Sequence, residues 1–497
     1  MTVDRLATRC AGHLRPDATR VIAQLFVPGH DVPIGSEGRA SRVVTRILAL
    51  DDTEVTSTLD ATMRRFGRRH RDLTATFRCH ADRIGNRLEP GAELSDERWL
   101  LLGATFTHEY AVEAAALCNP SVVPGPDQSD APNGTLRFVM SVRQIGEGHR
   151  SSIGFRSGLV DELGNVSISE TGPFTTSATI GASTLDADGF RALAQHFDDG
   201  TESTGWVLDR LGDHFTVGEL DARLSQLEEQ GDTRRDVAET VRRLRGLAAR
   251  TYTADFPVTS ELSERVLFPA TSVESNGMED ARFARFVDVD GTITYYATYT
   301  AFDGISVRQQ LLATEDFRHF SSSPVVGEAA ANKGLALFPR RIGGRFAALS
   351  RHDGASNAIA FSDDVRRWPT AVPFDAPAAP WETIQSGNCG SPIETDAGWL
   401  VLTHGVGPMR TYAIGAWLLD LDDPTRIIGR LREPLLTPRL DEQDGYVPNV
   451  VYSCGALLYG ANVLIPYGIG DSTIGFATVG VGDLVDAMRR DSMDGHR

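Results

Sequence analysis

Lys333 is the residue in this sequence whose type says most about chemistry. It is the only lysine among the 49 lysine and arginine residues of the chain, and it lies in the segment Ala-Asn-Lys-Gly-Leu-Ala-Leu-Phe-Pro. An ammonium is a compact point charge, whereas a guanidinium is a planar fork. The retention of one ammonium in an arginine-biased sequence indicates a contact with an anion. The alternative is drift, in which one lysine has survived without a role.

A second chemical feature is a pair of adjacent acids, Glu279 and Asp280, in the segment NGMEDAR at residues 276–282. A predicted strand follows the pair, and this strand leads into Tyr-Thr-Ala-Phe-Asp-Gly. Taken alone, adjacent acids ahead of a strand are more typical of a turn with a β-bulge. The pair therefore predicts either a chemical site or a structural turn, and other residues must decide between the two.

The charge balance restricts the classes of ligand. The 497 residues carry 67 acidic and 49 basic side chains, which gives a net charge of -18. This excess of negative charge disfavours a general affinity for nucleic acid or for an anionic membrane. A small anionic ligand would need a local basic pocket. At 53.9 kDa, the chain is expected to form several domains or one large closed architecture with additional segments.

The cysteines and the N-terminal sequence predict a cytoplasmic protein without a metal site. The cysteines are odd in number and widely scattered, with no C-x-x-C pair: Cys10, Cys79, Cys118, Cys389 and Cys454. Reduced thiols are expected. The first twenty residues interrupt every apolar run with Asp or Arg, and no run in the chain approaches the 18 apolar residues of a membrane span.

Short runs of alternating apolar and polar residues, typical of β-strands, recur from about residue 110 onward. Five of them end at a polar loop: residues 136–142, 293–300, 345–349, 399–403 and 462–466. The last four lie roughly 50 to 60 residues apart, the length of one blade of a β-propeller. Five blades are therefore expected, and the residues after these strands should gather at one mouth: Arg143, Asp303, Arg351, His404 and Asp471. A β-sandwich or a barrel with polar turns is the alternative.

Residues 205–250 break the β pattern and are predicted to form a helical hairpin. Thr216 and Glu219 have the spacing of a capping box at the start of a helix. Apolar residues then repeat on one helical face: Leu220, Leu224 and Leu227, followed by Val237, Val241, Leu244 and Leu247. We expect this hairpin to be inserted after the first blade.

Residues 1–108 are of mixed character and rich in arginine. A helix is predicted over residues 57–72, with a run of basic side chains: Arg64, Arg65, Arg68, Arg69, His70 and Arg71. Such a run usually marks a solvated face; the alternative is a surface that lines the active site of a partner subunit or collects phosphate. We expect a homo-oligomer. The predicted organisation is an N-terminal extension (1–108), a first blade (109–185), a helical insertion (186–251), the remaining blades (252–490) and a tail (491–497).

Further motifs follow in order along the chain. They are NGMEDAR, Asn119-Pro120 with Arg143 downstream, ALFP at 336–339 through Arg351, GWL at 398–400 through His404-Gly405-Val406, LLDLDDP at 418–424 and PNVVY at 448–452. Together they resemble glycoside hydrolase family 130, the mannoside phosphorylases and related β-mannosidases. The resemblance covers about residues 110–185 and 252–490. It implies an all-β, five-bladed propeller, with inorganic phosphate as co-substrate and no other cofactor or metal.

The resemblance also implies residue roles. Asp280 matches the general acid, which protonates the glycosidic oxygen through the 3-hydroxyl of the bound mannose while a nucleophile attacks the opposite face of the anomeric carbon. Inversion follows. The residues that match or are candidates for substrate contacts are Asn119, Arg143, Arg150, Asp471, Glu279, Asp303 and Gln385. Gln385 stands where many members have lysine, so the acceptor preference is expected to differ.

Lys333, Arg351 and His404 match the phosphate site of the family, with Ser152 as a further contact. Three donors from separate blades would neutralise a phosphate dianion and aim one oxygen at carbon 1. Lys333 stands where some members have arginine, which keeps the charge but not the bidentate fork. The expected reaction is an inverting, reversible phosphorolysis of β-mannosides or manno-oligosaccharides to α-mannose 1-phosphate and the free acceptor.

Two other functions stay open on the sequence. An inverting β-mannosidase of the same fold would need a second carboxylate to activate water, and Glu279 and Glu382 are the candidates. A non-catalytic carbohydrate-binding propeller would need no proton donor, so Asp280→Asn would leave its function intact.

Overall fold

The structure is a computed structural model that describes residues 6–28, 38–88, 93–195, 202–230, 237–374 and 379–494. The helices in these residues are α1 (Arg39–Leu48), α2 (Asp52–Phe66), α3 (Leu73–Ile84), α4 (Asp96–Thr105), α5 (Ala187–Gln195), α6 (Glu202–Leu208), α7 (Val217–Gln230), α8 (Val237–Ala248) and α9 (Val481–Asp494). None of the helices in the described ranges is long and apolar enough to cross a membrane.

Strands dominate the rest of the described chain, which makes it mostly β. We divide them into five antiparallel groups. Group 1 is Ala116–Pro124, Thr135–Ile145, Ser151–Asp161 and Val166–Ile168. Group 2 is Thr179–Ala182, Tyr252–Asp255, Gly277–Val287, Ile293–Phe302, Val307–Thr314 and His319–Pro324. The parallel pairing of Ser151 with Gly277 joins these two groups. Arg265–Leu267, which pairs onto Ser151–Asp161, and Thr176–Ser177, which pairs with Arg265–Leu267, complete one twelve-stranded sheet.

The other three groups are separate sheets. Group 3 is Ala336–Leu337, Phe346–Ser350, Ala358–Ser362 and Ala371–Pro373. Group 4 is Gln385–Asn388, Ile393–Thr395, Gly398–Val406, Tyr412–Leu419 and Ile427–Arg430. Group 5 is Ala7–Arg9, Val451–Tyr452, Leu457–Tyr459, Asn462–Ile469 and Thr473–Gly480. Two short pairs lie outside the groups: Val21–Leu25 with Thr107–Ala111, and Leu185–Asp186 with His214–Phe215.

The core runs between consecutive groups. Each group shares a cluster of buried apolar side chains with the next one, and group 5 shares a cluster with group 1. Representative pairs within the clusters are Phe155 with Phe283, Phe286 with Phe346, Leu349 with Trp399, Leu400 with Ile465, and Phe476 with Leu117. Burial of this apolar surface is the main force that holds the groups together.

The five predicted strands are confirmed, and each extends beyond its predicted C-terminal limit; the strand predicted at 345–349 begins one residue later, at Phe346. The run predicted at 136–142 belongs to Thr135–Ile145, for example, and the run at 399–403 belongs to Gly398–Val406. Alternation of polar and apolar residues detects the buried middle of a strand. The ends are set by pairing with neighbours, which the local sequence does not show.

The predicted helical hairpin is present as α7 and α8. Thr216 and Glu219 form the expected capping box, since each backbone N–H donates to the side chain of the other residue. The apolar face is buried: Leu220, Leu224 and Leu227 are at most 1% exposed. α5 and α6 pack on the same cluster and lie within the predicted helical insertion (186–251), although no individual helix was predicted at α5. The sequence did not indicate α9, which occupies most of the predicted tail. Residues 495–497 of that tail lie outside the described ranges.

The helix predicted over 57–72 begins earlier, at Asp52, because Asp51 and Glu54 form a capping box there. Much of its arginine run contacts acids of the same chain. Arg69 and His70 pair with Glu109, and Arg71 pairs with the buried Glu264. These contacts fasten the N-terminal helices to the β region.

Candidate active site

One cavity of about 380 Å³ receives side chains from all five groups or from the loops between them. Its lining residues are Asn119, Arg143, Asp280, Asn332, Lys333, Arg351, Gly354, Gln385, His404, Arg410, Tyr412, Val447, Val450, Tyr452 and Asp471. The polar and charged residues in this set greatly outnumber the apolar ones. The cavity therefore suits a hydroxylated or charged ligand.

Backbone geometry directs three of these side chains into the cavity. Asn119, Asp280 and Asp471 have positive φ angles of 47°, 55° and 48°. The strand register shifts beside two of them, between Cys118 and Ser121 and between Glu279 and Arg282. A β-bulge re-aims a side chain, and Asn and Asp tolerate the left-handed region better than most residues. The bulge expected as the alternative for the acid pair is therefore present, and the same bulge directs Asp280 into the cavity.

Asp280 lies among cations. Its Oδ1 is 3.6 Å from Arg143 Nη1, and its Oδ2 is 3.9 Å from Arg282 Nη2. Burial favours the neutral acid, but the charges of Arg282, Arg143, Lys333 and Arg351 outweigh it and hold the pKa of Asp280 below its ordinary value. Asp280 is therefore an anion at neutral pH.

Arg282 and Tyr452 position Asp280, and the sequence analysis missed both. Arg282 is buried; its Nη1 donates to the backbone carbonyl of Asp280 at 2.8 Å, and its Nη2 donates to the Tyr452 hydroxyl at 2.7 Å. Tyr452 also packs edge-on against His404, with ring centroids 4.8 Å apart. Both residues belong to motifs noted in the sequence, NGMEDAR and PNVVY, but only the structure shows that they meet.

Lys333, Arg351 and His404 line the same cavity. The strand ends predicted this position for Arg351 and His404, and the family resemblance implied it for Lys333. The imidazole, however, is not a third cation. His404 Nδ1 lies 3.2 Å from the Asn388 carbonyl, to which it donates, and Arg351 Nη1 donates to Nε2 at 2.9 Å. Burial, with Arg351 and Arg282, holds the pKa of His404 well below 6.5. The expectation of three cationic donors is corrected to two cations and one neutral ring that orients Arg351.

Gly387 makes this arrangement sterically possible. It pairs with His404 across neighbouring strands of group 4. A Cβ atom at this position would lie 2.4 Å from His404 Cε1 and 2.9 Å from Arg351 Cδ. Those contacts are shorter than side chains accept, so any larger residue would displace both basic groups. The glycine is part of the site although it carries no functional group.

Asp471 is a second carboxyl group on the cavity wall. Burial, with the negative charges of Asp280 and Glu279, raises its pKa to about 6, although Arg143 and Arg410 act in the opposite direction. Asp471 therefore exchanges a proton near neutral pH, while Asp280 stays ionised. Arg143 acts on both carboxyl groups and lowers the pKa of each.

Five candidates do not line the cavity. Glu279 lies behind the wall and contacts Arg143 and Lys333. Arg150 is exposed and lies over the Phe268 ring. Asp303 is also exposed, and its carboxylate accepts hydrogen bonds from the backbone of Ile305 and Ser306 within its own turn. These contacts replace the predicted gathering of Asp303 at the mouth.

Ser152 and Glu382 are the remaining two. Ser152 is buried and donates to Gln144 Oε1 at 3.2 Å, on the side of the strand away from the cavity. Its neighbour Ser151 instead accepts from Arg143 Nε at 2.9 Å. Successive strand residues point to opposite faces, so an error of one position moves a side chain to the wrong face. The buried Glu382 accepts from Ser386 and lies in a capping turn.

The cavity, with its carboxyl groups and cations, defines an enzyme site of a mostly-β protein. Residues 253–490 match the model of glycoside hydrolase family 130, described as beta-1,4-mannooligosaccharide phosphorylase. A 1,2-beta-oligomannan phosphorylase of Thermoanaerobacter is 36% identical over 228 residues, which cover 45% of this chain and 75% of that protein. The chain belongs to glycoside hydrolase family 130 and is an enzyme.

Two further similarities involve Listeria innocua. A beta-1,2-mannobiose phosphorylase of this organism is 33% identical over 217 residues, 42% of this chain and 59% of that protein. The solved structure of a beta-1,2-mannobiose phosphorylase from Listeria innocua, in complex with beta-1,2-mannobiose, aligns with a TM-score of 0.43 and 21% identity. That alignment covers 76% of this chain and 92% of the other.

Proposed function

We propose that the protein catalyses the reversible, inverting phosphorolysis of β-mannosides, including manno-oligosaccharides, to α-mannose 1-phosphate and the free acceptor. The observation that carries the proposal is the placement of Lys333 and Arg351 in the same cavity as Asp280. Cations beside an acid suit an anionic nucleophile, which needs positioning and charge neutralisation rather than deprotonation by a base. The names of the relatives, which are mannoside phosphorylases, support the same reaction.

In the proposed reaction, Asn119, Arg143 and Asp471 bind the mannosyl unit, and Lys333 and Arg351 hold phosphate, with His404 orienting Arg351. A phosphate oxygen attacks carbon 1 as the bond to the acceptor oxygen breaks. Asp280 gives its proton to that oxygen through the 3-hydroxyl of the mannose. The proton that hydrogen phosphate loses on forming the new bond balances the one taken from Asp280.

Phosphate also resolves the conflict between the low pKa of Asp280 and its role as an acid. Lys333 and Arg351 are two of the cations that depress this pKa. A phosphate dianion held by them offsets their charge, so that its arrival raises the pKa of Asp280. Asp280 then takes up a proton from solvent and becomes a proton donor when the nucleophile is in place. Water carries no charge and would leave Asp280 ionised.

The hydrolytic alternative needs a carboxylate that activates water. Glu279 is held by two cations and Glu382 lies in its own turn, so neither is free for this work. Asp471, in contrast, lines the cavity and has a pKa of about 6. A carboxylate that could activate water is therefore present, and this keeps an inverting β-mannosidase as the second candidate.

The deciding experiment incubates the protein with β-1,2- and β-1,4-mannobiose, with and without phosphate. We expect phosphate-dependent release of mannose 1-phosphate, with the α configuration in the first-formed product by NMR. Release of free mannose at an equal rate without phosphate would overturn the proposal and establish the hydrolase.

We further propose that the five strand groups are the blades of a five-bladed propeller. The closed succession of apolar clusters, from group 1 through group 5 and back to group 1, supports this arrangement.

We also propose a cytoplasmic homo-oligomer, in which α1 to α4 supply subunit contacts. Light scattering of the full chain and of a variant with charge reversals at Arg65 and Arg68 would test the oligomer.

A further inference from the structure

The Glu279 carboxylate bridges the two halves of the candidate active site. Its Oε1 accepts from Arg143 Nη2 at 2.6 Å, and its Oε2 accepts from Lys333 Nζ at 2.9 Å. Arg143 stands on the proposed mannose side, and Lys333 on the proposed phosphate side. The Glu279 side chain is 10% exposed, so little solvent screens these pairs. Glu279 thus places a negative charge on the ammonium proposed to bind phosphate.

The two partners of Glu279 differ in how firmly they are held. Arg143 is 20% exposed, and its Nε donates to Ser151, which fixes the plane of the guanidinium. The Lys333 side chain is 34% exposed, and an ammonium on a flexible stem can turn its three protons toward a new acceptor. Loss of Lys333 would not leave Glu279 unpaired, because Arg143 would still hold it. The Lys333 contact is therefore the exchangeable one.

We propose that Glu279 competes with phosphate for Lys333 and thereby sets the phosphate affinity of the enzyme; this rests on the proposed phosphorolytic function. Phosphate takes the ammonium from Glu279, which stays on Arg143, and release of the phosphorylated product returns the ammonium to Glu279. The competition keeps phosphate binding weak enough for turnover. It also explains a lysine here: an arginine held by two hydrogen bonds to one carboxylate would exchange less readily.

The test is a measurement of phosphate affinity that does not involve catalysis. Isothermal titration of inorganic phosphate, without sugar, is expected to give a dissociation constant about 10-fold lower for Glu279→Gln than for wild type, or about 1.4 kcal/mol. In a Lys333→Met background, the same Glu279→Gln change should have no effect, because the ammonium for which the two anions compete is gone. Glu394→Gln removes an equal charge from a pair with the remote Arg340 and should leave the affinity unchanged.

Unchanged or weaker phosphate binding by a folded Glu279→Gln variant would overturn the inference. If that variant does not fold, Glu279→Asp serves instead. Its shorter side chain keeps the charge but cannot reach both cations, so tighter phosphate binding by a smaller factor is expected, and an unchanged affinity would count against the role. If the wild-type enzyme forms mannose 1-phosphate and Glu279→Gln binds phosphate with unchanged affinity, this inference alone is wrong. If the wild-type enzyme neither binds phosphate nor forms mannose 1-phosphate, both this inference and the proposed function are wrong.

Discussion

The two sides of the cavity are built by different means. On the proposed mannose side, Asn119, Asp280 and Asp471 are aimed by backbone in the left-handed region, with bulges beside the first two. On the proposed phosphate side, Lys333 and Arg351 are placed by contacts between side chains, to Glu279 and His404. Backbone geometry is fixed once the sheets have folded, whereas ion pairs can exchange. The proposed mannose side is thus preorganised, whereas the proposed phosphate side is adjustable.

Asp280→Asn should give the largest effect on this comparison. The amide keeps the shape and the left-handed backbone but cannot donate the proton, so kcat should fall by about 10³-fold, within the usual range for a general acid. Mannose 1-phosphate formation is the measurement. Phosphate binding should persist. A loss of less than 10-fold would mean that the acid is another group, with Asp471 the first alternative.

Arg351→Gln should damage the adjustable side alone. Loss of the guanidinium removes a charge-assisted contact of about 1.5–3 kcal/mol, so kcat/KM for phosphate should fall by about 10- to 100-fold. The KM for the mannoside should change little. Arg340→Gln, at the remote pair with Glu394, is the matched control. Equal losses for both substrates would show that the two sides are not separate.

Tyr452→Phe tests a link between the two sides, since Tyr452 contacts both Arg282 and His404. Removal of the hydroxyl frees one N–H of a buried guanidinium that also holds the backbone of Asp280. Because the contact of Arg282 with the Asp280 carbonyl remains, we expect kcat to fall by about 5- to 10-fold, less than the full loss of about 1.5–3 kcal/mol for a hydrogen bond to a charged group. The limb of the pH–rate profile on which Asp280 must be protonated should move. A lower activity with an unchanged profile would indicate a packing role only.

Asp471→Asn should give the smallest effect, on stability. Because burial raises the pKa of Asp471 from 3.8 to about 6, the folded state loses stability as the pH rises from about 4 through 6. The amide avoids this loss. At pH 7.5 the variant should be more stable by roughly 2 kcal/mol, or about 1–3 °C in Tm, and near pH 4 the difference should vanish. Equal Tm differences at both pH values would contradict the shifted pKa.

The sequence predicted the cavity-lining residues at strand ends better than the residues that position other side chains. The predicted strand ends placed four residues in one cavity, where the structure has them: Arg143, Arg351, His404 and Asp471. This was possible because the local sequence shows the polar residue that follows each apolar run. The same rule was wrong for Asp303, whose carboxylate stabilises its own turn. No local pattern distinguishes these two uses of an aspartate.

Other features depend on contacts between distant parts of the chain, which no local pattern shows. The contact of Arg282 with Tyr452 joins groups 2 and 5. The neutral state of His404 follows from burial and from its contact with Arg351, neither of which the residue type shows. The error at Ser152 arose because a strand position must be known to one residue before its face is known.

The pairing of Ala7–Arg9 with Thr473–Gly480 has a consequence for how the molecule is made. A ribosome makes the first of these strands hundreds of residues before the second, so the early segment must wait for its partner while the intervening sheets are synthesised. Arg9 then anchors to Glu442 and to the Thr437 carbonyl, beside the stretch that leads to the cavity wall at Val447 and Val450. Deletion of residues 1–10 should therefore leave Thr473–Gly480 as an exposed edge strand, which favours self-association. It should also leave the cavity wall at Val447 and Val450 without the nearby anchor that Arg9 supplies.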